Sequence, residues 1–367
     1  MGHVIIKDGK ELRRLEEFLS TPGKRLLFYH RDADGICSAA LMLKYFPDFQ
    51  AYARQGPRIE KEFLKEVVEK VPDLIVFIDL PVDQEWKRLE ELVEKLPKMR
   101  LILIDHHIFE KDLNSKNAVH VNPRFFEDSY LATSCIIYKL LASLGKDVQP
   151  LVWIAVIGII GDYDLKDCGD VLESCEKSYP GSVGKDPMKS KLGYASELIC
   201  SAVTIKGSEG SEKVLKILLS SSDYRKFLES KRLKVWHKKV KEEMSRAIKD
   251  AYKSKEVHSK LNLNIYTIKT KMSLTSALST YFGEKHPDKV VIIRRKADNE
   301  WKLSFRNQSG EVNVGNLAKK CVQGIGTGGG HKKAAGAIVS DWDKFRECLL
   351  EELKRLGKGW EQPLKSN

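Results

Sequence analysis

Residues 24–35 read KRLLFYHRDADG, a short apolar run that ends at His30 and is followed at once by Asp32, Asp34 and Gly35. A run of this length and β-rich character, bounded by polar residues, is the pattern of a buried strand. In an extended segment the side chains at i, i+2 and i+4 point the same way, so His30, Asp32 and Asp34 are expected to converge on one side. Carboxylates clustered at a strand end repel and desolvate one another unless a cation neutralises them. Gly35 then permits a sharp turn into a helix expected over Ile36 to Tyr45.

Two further apolar strands end in acids. Leu74 to Ile78 leads into Asp79, and Leu101 to Ile104 leads into Asp105-His106-His107. The almost wholly apolar stretch Leu151 to Ile160 reads as a buried helix and ends at Gly161-Asp162. Helical spacing recurs at Leu12 to Leu19, Ile59 to Val71 and Trp86 to Leu96. Alternation of strands and helices predicts an α/β fold, a mostly parallel sheet with helices on both faces. Ligands of such sheets sit beyond the carboxyl ends of the strands, so these acids and imidazoles can share one crevice. They are too many for one ion. They suit two divalent cations about 3.5–4 Å apart, an arrangement used for in-line attack on phosphate. Mixed nitrogen and oxygen donors favour Mn²⁺, with Mg²⁺ the alternative. Any one of these residues alone reads more readily as a helix cap or as a packed or surface histidine. The recurrence at successive strand ends makes a site the better reading.

The remaining segments set the domain plan. Residues 163–192 are poor in apolar periodicity and rich in Gly and Pro, and read as a long surface insertion. Ile205 to Glu212 reads as a break. Ser222 to about Lys255 is highly charged with few breakers and predicts one long connecting helix. Beyond it, Leu261 to Ile268 alternates like a strand. Val290 to Arg295 and Trp301 to Phe305 flank Ala297-Asp298-Asn299 as a hairpin. Asn316 to Val322 and Phe345 to Leu356 read as helices, with a glycine-rich loop from Gly324 to Gly336 between them. The expected division is a catalytic α/β domain over residues 1–220, a connecting helix over 221–257 and a smaller α/β domain over 258–367.

The 367 residues carry a formal net charge of +12, with a sequence pI near 9.1. Such a surface concentrates polyanions, without saying which. The seven cysteines form no Cys-x-x-Cys pair, which argues against a zinc ribbon or a secreted disulfide framework. Cys168 and Cys175 are near enough in sequence to pair, but two free thiols are the favoured reading. No apolar run reaches the roughly 18 residues of a membrane span. Met1 to Lys10 has no secretory pattern, so no membrane association and a cytoplasmic location are expected.

The spacing His30-x-Asp32-x-Asp34-Gly35, then Asp79, then Asp105-His106-His107, then Gly161-Asp162 resembles, in order, the four motifs of the DHH phosphoesterases. Near the other end, Gly328-Gly329-Gly330-His331 followed by Ala334-Ala335-Gly336 resembles the DHHA1 substrate-binding motif. Arg306, in Leu303-Ser-Phe-Arg306, matches its upstream arginine. By that resemblance His30 and Asp32 hold one metal, Asp34, His106 and Asp162 the other, and Asp79 bridges them. His107 faces the scissile phosphate. Asp105 either orients the histidines or joins a metal shell. Arg306, Gly328, Gly329, Gly330 and His331 grip the nucleotide beside the cleaved bond. The activity so implied is that of a RecJ-like exonuclease on single-stranded DNA or RNA. A replication- or repair-protein partner is also implied, because archaeal members associate with factors such as GINS or Hef. The leading alternative is a small-substrate phosphodiesterase or phosphatase of the same superfamily. A non-catalytic scaffold like the Cdc45 relatives is a second. For base-stacking aromatics the sequence offers Phe305 and Tyr281.

Overall fold

The computed structural model describes residues 5, 6 and 8–357. The outer ends of both expected domains, and most of the stretch before Lys10, lie outside the described residues. The chain divides into two compact units, residues 1–237 and 238–367.

In the first unit the elements run α1 (Gly9–Leu19), β1 (Arg25–His30), α2 (Ala33–Tyr45), β2 (Gln50–Arg54), α3 (Lys61–Lys70), β3 (Leu74–Ile78), α4 (Trp86–Lys95), β4 (Arg100–Ile104), β5 (Ala118–Val121) and α5 (Thr133–Ser143). Five more helices follow: α6 (Val152–Gly161), α7 (Gly169–Ser178), α8 (Lys191–Lys206), α9 (Ser208–Ser220) and α10 (Tyr224–Leu228). The strands form one all-parallel sheet in the order β2-β1-β3-β4-β5. Successive residues alternate between its two faces, as a two-residue period requires. Leu27, Tyr29, Val76, Ile78, Ile102 and Ile104 pack with α2, α5 and α6, whereas Leu26, Phe28, Ile75, Phe77, Leu101 and Leu103 pack with α3 and α4. All residues of α6 from Val152 to Ile160 are buried, and α2, α5, α7 and α8 surround it.

The second unit begins within α11 (Lys231–Lys253) and continues through β6 (Glu256–His258), β7 (Leu263–Ile268), α12 (Thr275–Lys285), β8 (Val290–Ala297), β9 (Glu300–Arg306), α13 (Val314–Cys321), β10 (Gly326–Gly330), β11 (Ala334–Val339) and α14 (Trp342–Gly357). Its six-stranded sheet has the order β10-β11-β9-β8-β7-β6, and only the β7–β8 pair is parallel. Helices α13 and α14 cover one face, and α11 and α12 the other. No helix among the described residues is long and apolar enough to cross a membrane.

Four sequence expectations are corrected. Residues 163–192 are not an unstructured surface insertion: α7 crosses them and buries Val171, Leu172 and Cys175, and Val183 and Leu192 are buried too. Three buried residues in a ten-residue helix are too sparse for a periodicity count to register. The break at 205–212 shrinks to Gly207, whose φ of 57° separates α8 from α9. The long helix from Ser222 is two helices, because Asp223 caps the short α10 and the chain restarts at Lys231. The glycine-rich loop is a hairpin of β10 and β11, held by ladder pairing where glycine has no propensity of its own. Cys168 and Cys175 are free thiols, as favoured.

Candidate metal centre and substrate hairpin

The acidic cluster forms at the carboxyl ends of β1, β3 and β4, with α6 supplying its last member. His30 is the final residue of β1, and Asp32 caps α2 by accepting a hydrogen bond from the Gly35 amide at 2.9 Å. Asp34 therefore lies in the first turn of a helix, not in an extended chain. The expected convergence of His30, Asp32 and Asp34 comes from a strand-to-helix turn rather than from two-residue alternation. A Cβ at Gly35 would stand 2.2 Å from the His30 carbonyl oxygen, so this tight turn excludes any side chain.

Asp79 leaves β3 with a left-handed φ of 58°, while its amide still donates to the Ile104 carbonyl at 2.9 Å. A non-glycine residue in this region is strained by roughly 1–2 kcal/mol, a cost met where the surroundings over-determine the position. Asp105 leaves β4 with its amide donating to Val121, and its Oδ1 lies 2.8 Å from His107 Nδ1. The His106 ring sits between two carboxylates, with Nε2 3.4 Å from Asp79 Oδ1 and Nδ1 3.5 Å from Asp162 Oδ2. Asp162 caps the C-terminus of α6.

Three groups have ligand atoms mutually within 4.8 Å: His30, Asp32 and Asp79; Asp34, His106 and Asp162; and Asp79, Asp105, His106 and His107. All eight expected residues are thus brought together, and Asp79 belongs to two of the groups.

The cluster is electrostatically frustrated as a bare protein. Burial, and then the Asp32 charge, push Asp34 up to about 6. Burial, Asp32 and Asp34 raise Asp79 well above the carboxylate range. Burial and Asp34 push Asp162 up to about 8. Burial and His107 hold His106 down at about 4, so its imidazole is neutral and has a free lone pair. Asp32 moves the other way, to about 2, because His30 outweighs its burial. Among the described residues, Asp79 Oδ2, Asp105 Oδ2, His106 Nδ1 and Asp162 Oδ2 are buried without a hydrogen-bond partner, while His30 Nδ1 lies 2.8 Å from Asp32 Oδ2. Acids that resist ionising, aimed with neutral imidazole at one space, fit divalent cations.

A supporting shell escaped the sequence reading. The amides of Thr133 and Ser134, at the start of α5, donate to Asp34 Oδ2 and Oδ1 at 2.7 and 2.9 Å. Thr133 Oγ1 donates to Asp79 Oδ1 at 3.1 Å. Asp164 accepts the Ala132 amide at 2.8 Å and fixes the approach to α5. Arg124 Nε donates to the His106 carbonyl, and Asn122 Nδ2 to that of His107. Gly158 lets α6 approach this shell, since a Cβ there would lie 2.4 Å from Ser134 Oγ and 2.9 Å from Asp34 Oδ1. Thr133-Ser134 ahead of the apolar run IIYKLL was a helix-start signal in the sequence.

In the second unit, Arg306 ends β9 opposite Ala334 of β11, and the His331 amide donates to the Ala334 carbonyl at 2.7 Å. Arg306 and the exposed His331 thereby occupy the same end of the sheet. The Arg306 guanidinium donates to Thr280 Oγ1 and Ser276 Oγ of α12, at 3.2 and 3.3 Å. Gly328 and Gly329 are half-buried and Gly330 exposed. Phe305 is fully buried against Phe345, so it cannot stack on a base. Alternation along β9 turns it inward. Tyr281 is half-buried, with Lys285 Nζ 4.4 Å from its ring.

The model of the DHH family N-terminal domain matches residues 24–160, and that of the DHHA1 domain matches residues 262–358. The chain belongs to the DHH/DHHA1 superfamily. Among solved structures it is similar to RecJ from Thermus thermophilus in complex with Mn²⁺, at a TM-score of 0.72 and 17% identity, over 94% of this chain and 54% of that one. The chain thus spans about half the length of that relative. An exonuclease RecJ bound to manganese matches at 0.68 and 18% identity, over 96% and 94% of the two chains. CDC45 from Entamoeba histolytica matches at 0.56 and 11% identity, over 95% of this chain and all of that one. At these identities the likeness is one of fold, and the fold is RecJ-like. A search of curated proteins found no match.

Proposed function

We propose that the protein is a metal-dependent phosphodiesterase, and within that class a RecJ-like exonuclease on single-stranded DNA or RNA. The observation that carries this reading is the sharing of Asp79 between two ligand groups, one with His30 and Asp32 and one reaching His106. In this reading His30, Asp32 and Asp79 hold one divalent cation, and Asp34, His106 and Asp162 the other. Mn²⁺ is the better fit to the mixed donors and Mg²⁺ the alternative. Such a pair, when bound, supplies an ionised water near neutral pH and countercharge for the phosphate oxygens.

The chain's own residues do the rest. His107 is held by Asp105, whose carboxylate, aided by its hydrogen bond, raises the imidazole above its ordinary value despite burial. A protonated His107 is suited to donate to a phosphate oxygen. Arg306 and His331, with the open backbone of Gly328 to Gly330, bind a nucleotide of the strand. The net charge of +12 favours a long polyanion over a dinucleotide.

The test is digestion of end-labelled long and two-nucleotide strands, DNA and RNA, with Mn²⁺ and with EDTA. Mononucleotides released stepwise from long strands are expected. Cleavage of the dinucleotide alone would move the assignment to a small-substrate enzyme, and no cleavage of either to a scaffold. Arg306→Ala should weaken binding by about 1.5–3 kcal/mol, the loss of one charge-assisted hydrogen bond.

A further inference from the structure

With Phe305 buried and Tyr281 half-buried, exposed rings elsewhere are better placed to supply the nucleobase surface expected of a single-strand binder. Exposed large apolar side chains are scattered over the described residues, but three of them border the acidic cluster. Ile108 follows His107 and is 67% exposed, Tyr163 follows Asp162 and is 73% exposed, and Tyr130 is 41% exposed. The Tyr130 ring centroid lies 4.9 Å from that of His106. Its backbone is fixed by a 3.0 Å hydrogen bond from its amide to Asp167. Tyr163 holds a left-handed φ of 60°, a conformation disfavoured for an aromatic residue, and its ring is mostly exposed.

We infer that Tyr130 and Tyr163 form a nucleobase-stacking platform on the Asp162 side of the metal centre. The ligand class is a base of the strand whose phosphate lies at that centre, so this rests on the proposed function. A tyrosine face stacks on any base without reading its sequence, which suits a nuclease of broad specificity. The closeness of its ring to that of His106 sets Tyr130 beside the acidic cluster. The left-handed backbone of Tyr163 turns the chain as it leaves α6 and keeps its ring off the core.

The experiment measures binding of a short oligothymidylate, and of a strand of equal length made of abasic units, to the full chain in EDTA. The two strands carry the same phosphates and differ in bases. Wild type should prefer the base-bearing strand by about tenfold or more. Tyr130→Leu and Tyr163→Asn should each reduce that preference severalfold while leaving affinity for the abasic strand within about twofold. Asparagine tolerates the left-handed backbone, so Tyr163→Asn removes the ring without imposing strain. Equal wild-type affinity for both strands, or variants that lose both equally, would overturn the platform. If wild type cleaves long strands normally and still shows no preference, the platform alone fails. If it neither binds nor cleaves any strand, the nuclease reading fails with it.

Discussion

The Asp34 carboxylate accepts the Thr133 amide at 2.7 Å, tying the first turn of α2 to the first turn of α5 across 99 residues of chain. Asp34 is thus both a metal-ligand candidate and a cap on another helix. Asp34→Asn keeps an oxygen for the cap and loses the anionic ligand. Only one of the two amides keeps an oxygen acceptor in that variant, so it should fold, lack hydrolysis and melt somewhat below wild type in EDTA. Asp34→Ala leaves two buried amides unmet and should be less stable than Asp34→Asn by roughly 2 kcal/mol. Wild-type turnover by Asp34→Asn with Mn²⁺ present would remove Asp34 from the site.

Metal binding and pH should oppose each other in stability. Asp34 at about 6, Asp162 at about 8 and the strongly raised Asp79 keep protons in the folded chain that the unfolded chain has already released. Their contribution is present below the unfolded carboxyl value of about 4 and is lost as pH rises through the folded values. In EDTA the melting temperature should therefore fall between pH 5 and pH 8, on the order of the window set by those groups. Mn²⁺, which needs the ionised carboxylates, should reverse the fall, most strongly at the upper end. Asp162→Asn should flatten the slope in EDTA. Identical melting with and without Mn²⁺ at the upper end would count against a cation site.

Three of the four glycines of β10, Gly328, Gly329 and Gly330, should separate by role. A Cβ on Gly329 would meet nothing within 4 Å, whereas one on Gly328 would lie 2.8 Å from the Ala337 Cβ and one on Gly330 2.5 Å from the Ala334 carbonyl. Gly330 also has a φ of 148°. Gly328→Ala and Gly330→Ala should each cost about 1–3 kcal/mol of stability by overpacking. Gly329→Ala should melt like wild type and yet bind a strand more weakly. Unchanged affinity there would take Gly329 out of the substrate contact.

Cys321 Sγ and Cys348 Sγ are 2.7 Å apart, one on α13 and the other on α14. Exchange with oxidised glutathione should convert this thiol pair to one intramolecular disulfide, releasing two equivalents of reduced glutathione. Peptide mapping by mass spectrometry reads the linkage. Closing the 27-residue loop should raise stability by at most roughly 3.5 kcal/mol, a chain-entropy value. Exclusive linkage through other cysteines would contradict the pairing.

Much of the site was legible because the strands feeding it are short, apolar and punctuated by acids. Leu74 to Ile78 and Asp79 needed only that reading. The convergence of His30, Asp32 and Asp34 was anticipated for a wrong local reason, since a cap and a helix turn can aim side chains as an extended segment does. Strands β2 and β5 were missed: QAYAR and AVHV are short and carry weak alternation, and parallel pairing with β1 and β4 makes them strands. Helix α5 was missed too, and with it the amides that hold Asp34. The burial of Phe305 followed from alternation along β9 once the buried face was known, which a single strand's sequence leaves open.

Helix α6 has a liability that its native surroundings conceal. From Val148 to Gly161 the chain carries no charge, and Val-Trp-Ile-Ala-Val-Ile within it has high β-propensity. Folded, the segment is enclosed by four helices. On a nascent or partly unfolded chain it is an aggregation-prone window, bordered only by Asp147 and Asp162 as charged gatekeepers. Asp162 therefore stands guard over its own helix, and neutral substitutions there should lower soluble yield during expression even where catalysis is irrelevant.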